Sequence, residues 1–207
     1  MGKPTTYAEL QTELLAWLDD DESNVDVAAC IGFAEDRFNR ILDMPEMETT
    51  TTLTAAASTA LPDDFWQARS LHIEADPRVE LEPVSLSVLR GRYSAQTTGQ
   101  PQVYAIVGQN LIFGPAPDSA YSVELVYKAS ITPLSEAEPS NFLLTKYCDL
   151  YVVASLMMAE ARGWNDPRAA SLKPWWDEIM DEVRMAGIKY RAGSTPIRLR
   201  SPVRWGG

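Results

Sequence analysis

The chain contains very little histidine and cysteine. Among its 207 residues there is one histidine, His72, and two cysteines, Cys30 and Cys148. Because histidine is the usual acid or base at neutral pH, a catalytic triad would have to include His72, whose setting in Leu71-His-Ile73 favours an exposed strand position instead. The cysteines lie far apart within helical patterns, which favours buried free thiols over a disulfide or a metal clip.

The sequence also lacks the short motifs of common enzyme classes. No GxSxG, P-loop, GxGxxG or HExxH pattern occurs. The acidic residues at 19–22 lack the alternating ligands and central glycine of a calcium loop, and Asp63-Asp64 is a bare pair. We therefore expect no enzymatic activity, no metal and no cofactor. A hydrolase that uses these carboxylates is a minor alternative.

Long apolar runs are absent as well. No segment approaches the roughly 18 apolar residues that a membrane-spanning helix needs, and the first residues contain no hydrophobic signal segment. We expect a soluble protein that is made in the cytoplasm and binds no membrane. Hydrophobic residues make up 45% of the chain and charged residues 23%, which is the composition of a globular protein with a folded core.

Charge is distributed unevenly along the chain. Residues 1–182 carry a formal charge of −17, whereas residues 183–207 contain six basic residues and no acidic one, which gives +6. The acidic part is expected to repel nucleic acid at long range. The basic end is expected to bind an acidic partner.

Two helices are predicted before residue 46. Thr6 and Glu9 form a capping-box pattern, which predicts a helix that ends near residue 18. A second helix is predicted from Ser23-Asn24 to Pro45. Its predicted core residues are Val27, Ile31, Ala34, Phe38 and Ile41. The polar residues predicted to lie mostly off this face are Glu35, Asp36, Arg37, Asn39 and Arg40.

The middle of the chain is rich in threonine and β-branched residues and is interrupted by proline and glycine. This composition predicts a β domain over residues 47–139. A hairpin is expected where Gly108-Gln-Asn110 separates two apolar runs, and a short helix is expected at 85–92. The predicted strands are 49–54, 67–73, 79–83, 102–107, 111–113 and 121–128.

Two further helices are predicted between residues 140 and 190. The third begins at Ser140 and the fourth at Asp166-Pro167, where Pro174 is expected to kink the helix or to mark its true start. The neighbouring Trp175 and Trp176 point about 100° apart on a helix, so one is expected in the core and the other at an interface.

These patterns together predict an α+β fold. Because the helical pairs at the two ends of the chain must bury their apolar faces against each other, residues 1–46 and 140–190 are expected to form an antiparallel helical bundle. The mainly antiparallel β domain is then an insertion between the second and third helices.

Residues 191–207 are predicted to form an extended C-terminal arm. The segment contains two prolines, three glycines and no helical period. Its apolar and basic side chains favour an arm that becomes ordered on a partner, while a disordered end or a strand folded back on its own body is the alternative. The candidate partner-binding residues are Arg191, Ile197, Arg198, Leu199, Arg200, Val203, Arg204 and Trp205.

A series of short motifs runs in order through most of residues 5–183. The motifs are Tyr7-Ala-Glu-Leu10, Ala34-Glu-Asp-Arg-Phe-Asn-Arg40, Met47-Glu-Thr-Thr50, Leu61-Pro-Asp-Asp-Phe65, Arg69-Ser-Leu71, Gly99-Gln-Pro101, Tyr104-Ala-Ile-Val-Gly108, Gly114-Pro-Ala-Pro117, Leu125-Val-Tyr127 and Asp149-Leu-Tyr151. In this order they resemble the head-to-tail adaptor, or connector, proteins of short-tailed bacteriophages.

The resemblance implies a non-enzymatic structural protein of the virion, assembled in the host cytoplasm. It implies a homo-oligomeric ring of about a dozen copies between the portal protein ring and the tail nozzle protein. Double-stranded DNA would pass through this ring at genome ejection without sequence-specific binding, and the arm would bind the portal. The acidic body suits a channel that must not hold phosphates. Another connector, such as a head-completion or tail-nozzle protein, is the alternative function.

Overall fold

The computed structural model describes residues 2–18, 25–94, 96–162 and 166–192. These residues form an α+β fold with helices and two sheets rich in antiparallel pairs, which confirms the predicted class. They divide into two compact units. The helical unit contains the chain up to Pro45 and from Thr132 onward, and the β unit contains Glu46–Ile131. Residues 132–139, which were predicted to belong to the β domain, thus belong to the helical unit.

The helical unit is organised around one helix. The described α-helices in chain order are α1 (Tyr7–Leu18), α2 (Val27–Ile41), α3 (Leu86–Arg92), α4 (Phe142–Lys146), α5 (Cys148–Arg162) and α6 (Asp166–Ala192). All except α3 belong to the helical unit, where α5 packs against the other four. None of the described helices combines the length and apolar composition that crossing a membrane requires.

Side chains cap the first two helices. The Glu9 amide donates to the Thr6 hydroxyl at 3.3 Å and the Thr6 amide donates to the Glu9 carboxylate at 3.2 Å, so the predicted capping box is confirmed. Helix α2 begins after Asp26, whose carboxylate accepts from the Ala29 amide at 2.9 Å. The predicted cap at Ser23-Asn24 lies outside the described residues.

The predicted third helix is two helices in the structure. Asn141 rather than Ser140 caps α4, and its side-chain oxygen accepts from the Leu144 amide at 2.8 Å. The backbone leaves the helical region at Tyr147, with φ −133° and ψ 54°, and α5 starts at Cys148. A single helix from Ser140 is therefore wrong.

Helix α6 runs without interruption from Asp166 to Ala192, with Pro174 inside it. Pro174 thus does not mark the start of the helix. The helix also continues two residues into the segment that was predicted to be an extended arm, and Arg191 in this last turn binds back to the helical unit, as described below.

Aromatic side chains fill the core where α2, α5 and α6 meet. Phe38 lies between Tyr151, with ring centroids 5.1 Å apart, and Trp176, with centroids 6.3 Å apart. Trp176 is buried, whereas Trp175 is partly exposed and contacts the ring of Trp17 at 6.0 Å. The two neighbouring tryptophans thus have the different environments that their helical spacing predicts.

The β unit consists of two four-stranded sheets. The strands are β1 (Glu48–Ala55), β2 (Thr59–Ala60), β3 (Phe65–Ile73), β4 (Val79–Glu80), β5 (Glu82–Pro83), β6 (Val103–Val107), β7 (Asn110–Gly114) and β8 (Tyr121–Ala129). One sheet has the order β1-β8-β3-β4 and the other has the order β2-β7-β6-β5. Strands β5 and β6 are parallel, and the other paired strands are antiparallel.

The predicted strand 79–83 is divided between the two sheets. The Leu81 amide donates to the Leu71 carbonyl at 2.8 Å, and the Glu82 amide donates to the Gln102 carbonyl at 3.1 Å. The chain therefore passes from one sheet to the other at Leu81, whose side chain is buried in the core between them.

The predicted hairpin is present between β6 and β7. Val107 pairs with Asn110, so Gly108 and Gln109 form a two-residue turn. Gly108 has φ +60°, which favours glycine because a Cβ in this conformation clashes with the backbone.

Candidate interaction surfaces

The predicted partner-binding residues lie almost entirely beyond the part of the chain that the structure describes. Arg191 is within α6. The residues outside the described ranges are Ile197, Arg198, Leu199, Arg200, Val203, Arg204 and Trp205.

Arg191, near the end of α6, binds Asp43 in the turn that follows α2. Its guanidinium donates to the Asp43 carboxylate at 2.9 Å and 3.1 Å, and to the Asp43 carbonyl at 3.2 Å. The two side chains are 42% and 48% exposed, so water weakens the pair and its contribution to stability is modest. Arg191 therefore belongs to the helical unit and not to an extended arm.

An open groove lies between this end of α6 and the turn after α2. The two backbones are close at Gly187, where a Cβ would be in ordinary van der Waals contact with the Asp43 carbonyl oxygen at 3.6 Å. The groove walls include Ile41 and Ile188, which are 41% and 60% exposed. Ile41 was predicted to be a core residue, and this prediction is wrong because the last turn of α2 faces the groove.

The outer face of α6 is the exposed side away from its buried residues, and Ile188 lies at its edge beside the groove. The buried side chains Trp176, Met180 and Val183 recur at helical spacing and define the inner side. The exposed residues that form the outer face are Glu178, Asp181, Glu182, Met185, Ile188 and Lys189. Along the helix the outer face is thus first acidic, then mixed with apolar side chains, and finally basic.

The outer face of α2 is formed by Ala29, Phe33, Asp36 and Arg40. These positions are three or four residues apart and therefore share one side of the helix, opposite the buried Ile31 and Phe38. Phe33 is 56% exposed, whereas phenylalanine side chains in folded proteins are most often buried. The neighbouring Arg37 makes a cation–π contact within the helical unit, because its guanidinium lies 4.4 Å from the centre of the Trp176 ring.

A buried polar network lies inside the helical unit. The Glu35 carboxylate accepts from the Leu134 amide at 2.8 Å and from the Tyr151 hydroxyl at 3.0 Å. The Asn141 amide group donates to the Tyr151 hydroxyl at 2.7 Å and to the Thr132 carbonyl at 2.8 Å. Burial raises the pKa of Glu35 above 4.5, and burial and the nearby Glu35 raise the pKa of Tyr151 above 10.0.

Glu35 therefore lies on the buried side of α2 and not among the polar residues that were predicted to lie off it. It is only 6% exposed. Its spacing of four residues from Ile31 puts it on the buried side, and the donors that hold it there come from Leu134 and Tyr151. Because these groups bind one another, the network stabilises the fold and leaves little for a ligand to bind.

The groups that enzymes use most often are dispersed. His72 lies on β3, where its strand-register partners are Glu80 on β4 and Glu124 on β8. Burial raises the pKa of the Cys30 and Cys148 thiols, which lowers their reactivity. Within the described ranges, no group of three or more His, Cys, Asp or Glu residues is placed to hold a metal ion.

Sequence comparison identifies a family over almost the whole chain. A family model described as SU10 adaptor protein matches residues 5–204, which includes both units and most of the predicted arm. A search of the curated proteins found no match.

Proposed function

The chain belongs to the SU10 adaptor protein family and is thus an adaptor protein of a bacteriophage particle, and from this premise we propose that it joins the head to the tail. In this proposal the copies form a ring of about a dozen subunits between the portal ring and the tail of a short-tailed phage. The match over residues 5–204 is the observation that carries the proposal.

The C-terminal arm is the proposed portal-binding segment. Because Arg191 lies in α6 and is bound to Asp43, we assign residues 193–207 to the proposed arm. This segment contains three arginines, four large apolar side chains and no acidic residue. Such a composition fits an acidic groove with apolar pockets on the portal.

The charge of the whole chain supports a position around DNA. The formal net charge is −11, and the arm is the part that departs most from this acidity. A subunit with an acidic body lets duplex DNA pass because it offers few cations to the phosphates.

Mass photometry of portal rings mixed with the chain tests the proposal. We expect the full chain to add about a dozen subunits to each portal ring, and a chain that ends at Ala192 to add far fewer. Truncation after Ala192 keeps the contact between Arg191 and Asp43. A variant with Arg198, Arg200 and Arg204 replaced by glutamine keeps the arm's length and tests its charge alone.

Each result has a defined meaning. Equal loading by the truncated and full chains would contradict the role of the arm. Failure of the full chain to bind the portal, together with binding to a tail protein, would favour another connector lower in the tail.

A further inference from the structure

We propose that neighbouring copies of the chain contact each other through two specific surfaces, the outer face of α2 on one copy and the outer face of α6 on the next. This inference rests on the ring proposed above and names the lateral contact within it. The contact joins two different surfaces, and repetition of such a heterologous contact closes a ring.

Both faces combine large exposed apolar side chains with charges. Phe33 on α2 is 56% exposed, and Met185 and Ile188 on α6 are 51% and 60% exposed. Apolar side chains of this size at the centre of a surface with a charged rim are typical of protein interfaces.

Four charges on these faces lack ion-pair partners within the described part of the chain. Neither Asp36 nor Arg40 on α2 forms an ion pair with a described residue, and the same is true of Glu182 and Lys189 on α6. Other charges of α6 behave differently. Asp177 pairs with Lys173, and Asp181 pairs with Arg184 at 3.4 Å.

The order of the charges determines how the two faces fit. Along α2 the order is apolar, acidic and basic, from Phe33 through Asp36 to Arg40. Along α6, read from its end backwards, the order is basic, apolar and acidic, from Lys189 through Ile188 to Glu182. In an antiparallel arrangement that places Arg40 opposite Glu182, Phe33 therefore lies opposite the segment that contains Ile188 and Lys189, and Lys189 is about 4.5 Å along the helix from the position opposite Asp36.

The spacing agrees with this arrangement. With a rise of about 1.5 Å per residue, Asp36 and Arg40 are about 6 Å apart along α2, and Lys189 and Glu182 are about 10 Å apart along α6. The lysine and arginine side chains are long enough to span the difference. A parallel arrangement that brings Arg40 to Glu182 would place Asp36 against Glu178, so like charges would oppose it.

Paired charge reversals test the contact without changing the net charge. One variant carries Asp36→Lys and Arg40→Glu, and the other carries Glu182→Lys and Lys189→Glu. Each variant alone places like charges across every lateral contact, so we expect the affinity between neighbouring copies to fall by about tenfold or more. We expect portal rings to carry correspondingly few copies of either variant.

An equimolar mixture of the two variants provides the decisive measurement. Opposite charges meet again wherever the two variants alternate, so we expect loading of the portal to recover with a one-to-one composition. A single chain with all four substitutions should recover as well. The matched control exchanges the pair Lys173→Asp and Asp177→Lys, which lies on another side of α6, and we expect normal loading.

Thiol crosslinking separates this inference from the proposed function, because it does not need the portal. With a bismaleimide at high protein concentration, we expect dimers from a mixture of Phe33→Cys and Ile188→Cys chains and longer ladders from the double variant. Each single variant alone should give no crosslinked product. The parent chain should give none either, since Cys30 is buried and Cys148 is partly buried.

The outcomes are distinguishable. If the parent chain loads onto the portal, but the charge reversals load equally well and no ladder forms, the lateral contact is wrong and the adaptor proposal stands. If the parent chain does not load, the ladder alone decides: its presence supports the contact without a portal, and its absence overturns the contact.

Discussion

Glu35 is a carboxylate held inside the helical unit by two donors, the Leu134 amide and the Tyr151 hydroxyl. A buried carboxylate costs free energy unless donors replace its hydration, so the hydroxyl of Tyr151 is important for folding. The network also joins α2 to α5 and to the segment before α4, because Asn141 binds the same hydroxyl.

Replacing Tyr151 with phenylalanine removes one donor from Glu35 and leaves the ring in place. We expect the free energy of unfolding to fall by about 1–3 kcal/mol, as is usual for hydrogen bonds to charged groups. Urea unfolding measures this change. Tyr190→Phe is the matched control, because Tyr190 is 74% exposed and its change should stay within about 0.5 kcal/mol. Equal effects of the two substitutions would contradict the role of the network.

Glu35 also makes stability depend on pH. Burial raises its pKa above the ordinary value of 4.5, so the folded protein binds this proton more tightly than the unfolded chain does. The stability that this group contributes is therefore complete below about pH 4.5 and is lost as pH rises through the folded-state pKa.

The variant Glu35→Gln isolates this dependence, because an amide oxygen still accepts hydrogen bonds but does not titrate. We expect the unfolding free energy of the parent minus that of Glu35→Gln to be highest in acid and to decrease toward neutral pH. Urea unfolding of both proteins from acid to neutral pH gives this difference. A difference that stays constant over that range would contradict the pKa shift.

Two glycines in short elements of the β unit have equally open surroundings but different backbone conformations. Beyond the adjoining backbone, a Cβ would contact nothing within 4 Å at Gly91 in α3 or at Gly108 in the β6-β7 turn. Only Gly108 has a positive φ, of +60°. Backbone conformation alone therefore decides the effect of a substitution at these positions.

Substitution by alanine should accordingly have opposite effects at the two positions. We expect Gly91→Ala to stabilise by about 0.5–1 kcal/mol, because alanine favours the helix and restricts the unfolded chain. We expect Gly108→Ala to destabilise by about 1 kcal/mol, and Gly108→Asn to destabilise less, because asparagine tolerates positive φ. Denaturant unfolding of the three variants checks the signs, and a loss of stability at Gly91 would refute the argument.

Elements with a local signal were predictable from the sequence, and those that depend on distant contacts were not. The capping box at Thr6 and the turn at Gly108 each use neighbouring residues, so the pattern is complete within a few positions. The break at Tyr147 has no proline or glycine beside it, and the strand change at Leu81 depends on hydrogen bonds to two different sheets. Such features follow from tertiary packing and leave no local pattern.

The candidate surfaces were predictable only in part. The spacing of Phe33 and Arg40 is visible in the sequence, but their exposure follows from which side of α2 packs against α5. The burial of Glu35 depends on donors 99 and 116 residues away. The predicted boundary of the arm at residue 191 falls inside α6, where the partner of Arg191 is Asp43, 148 residues before it.

On the scale of the whole chain, the acidic body and the basic end act on DNA in opposite directions. Residues 1–182 carry −17 and the six bases of residues 183–207 carry +6. Two of these six bases already bind carboxylates, since Arg184 pairs with Asp181 and Arg191 pairs with Asp43. The remaining four bases are too few to outweigh the repulsion by the body.

We therefore expect the chain not to bind a short DNA duplex at about 0.15 M salt, and to bind only weakly at low ionic strength. Each phosphate contact adds about −0.9 to the slope of log affinity against log salt, so four bases give a slope no steeper than about −4. Fluorescence anisotropy of a labelled duplex measures this, with the chain that ends at Ala192 as the matched control. Tight binding at physiological salt would contradict a place around the DNA channel, because a subunit that holds phosphates would oppose the passage of the duplex.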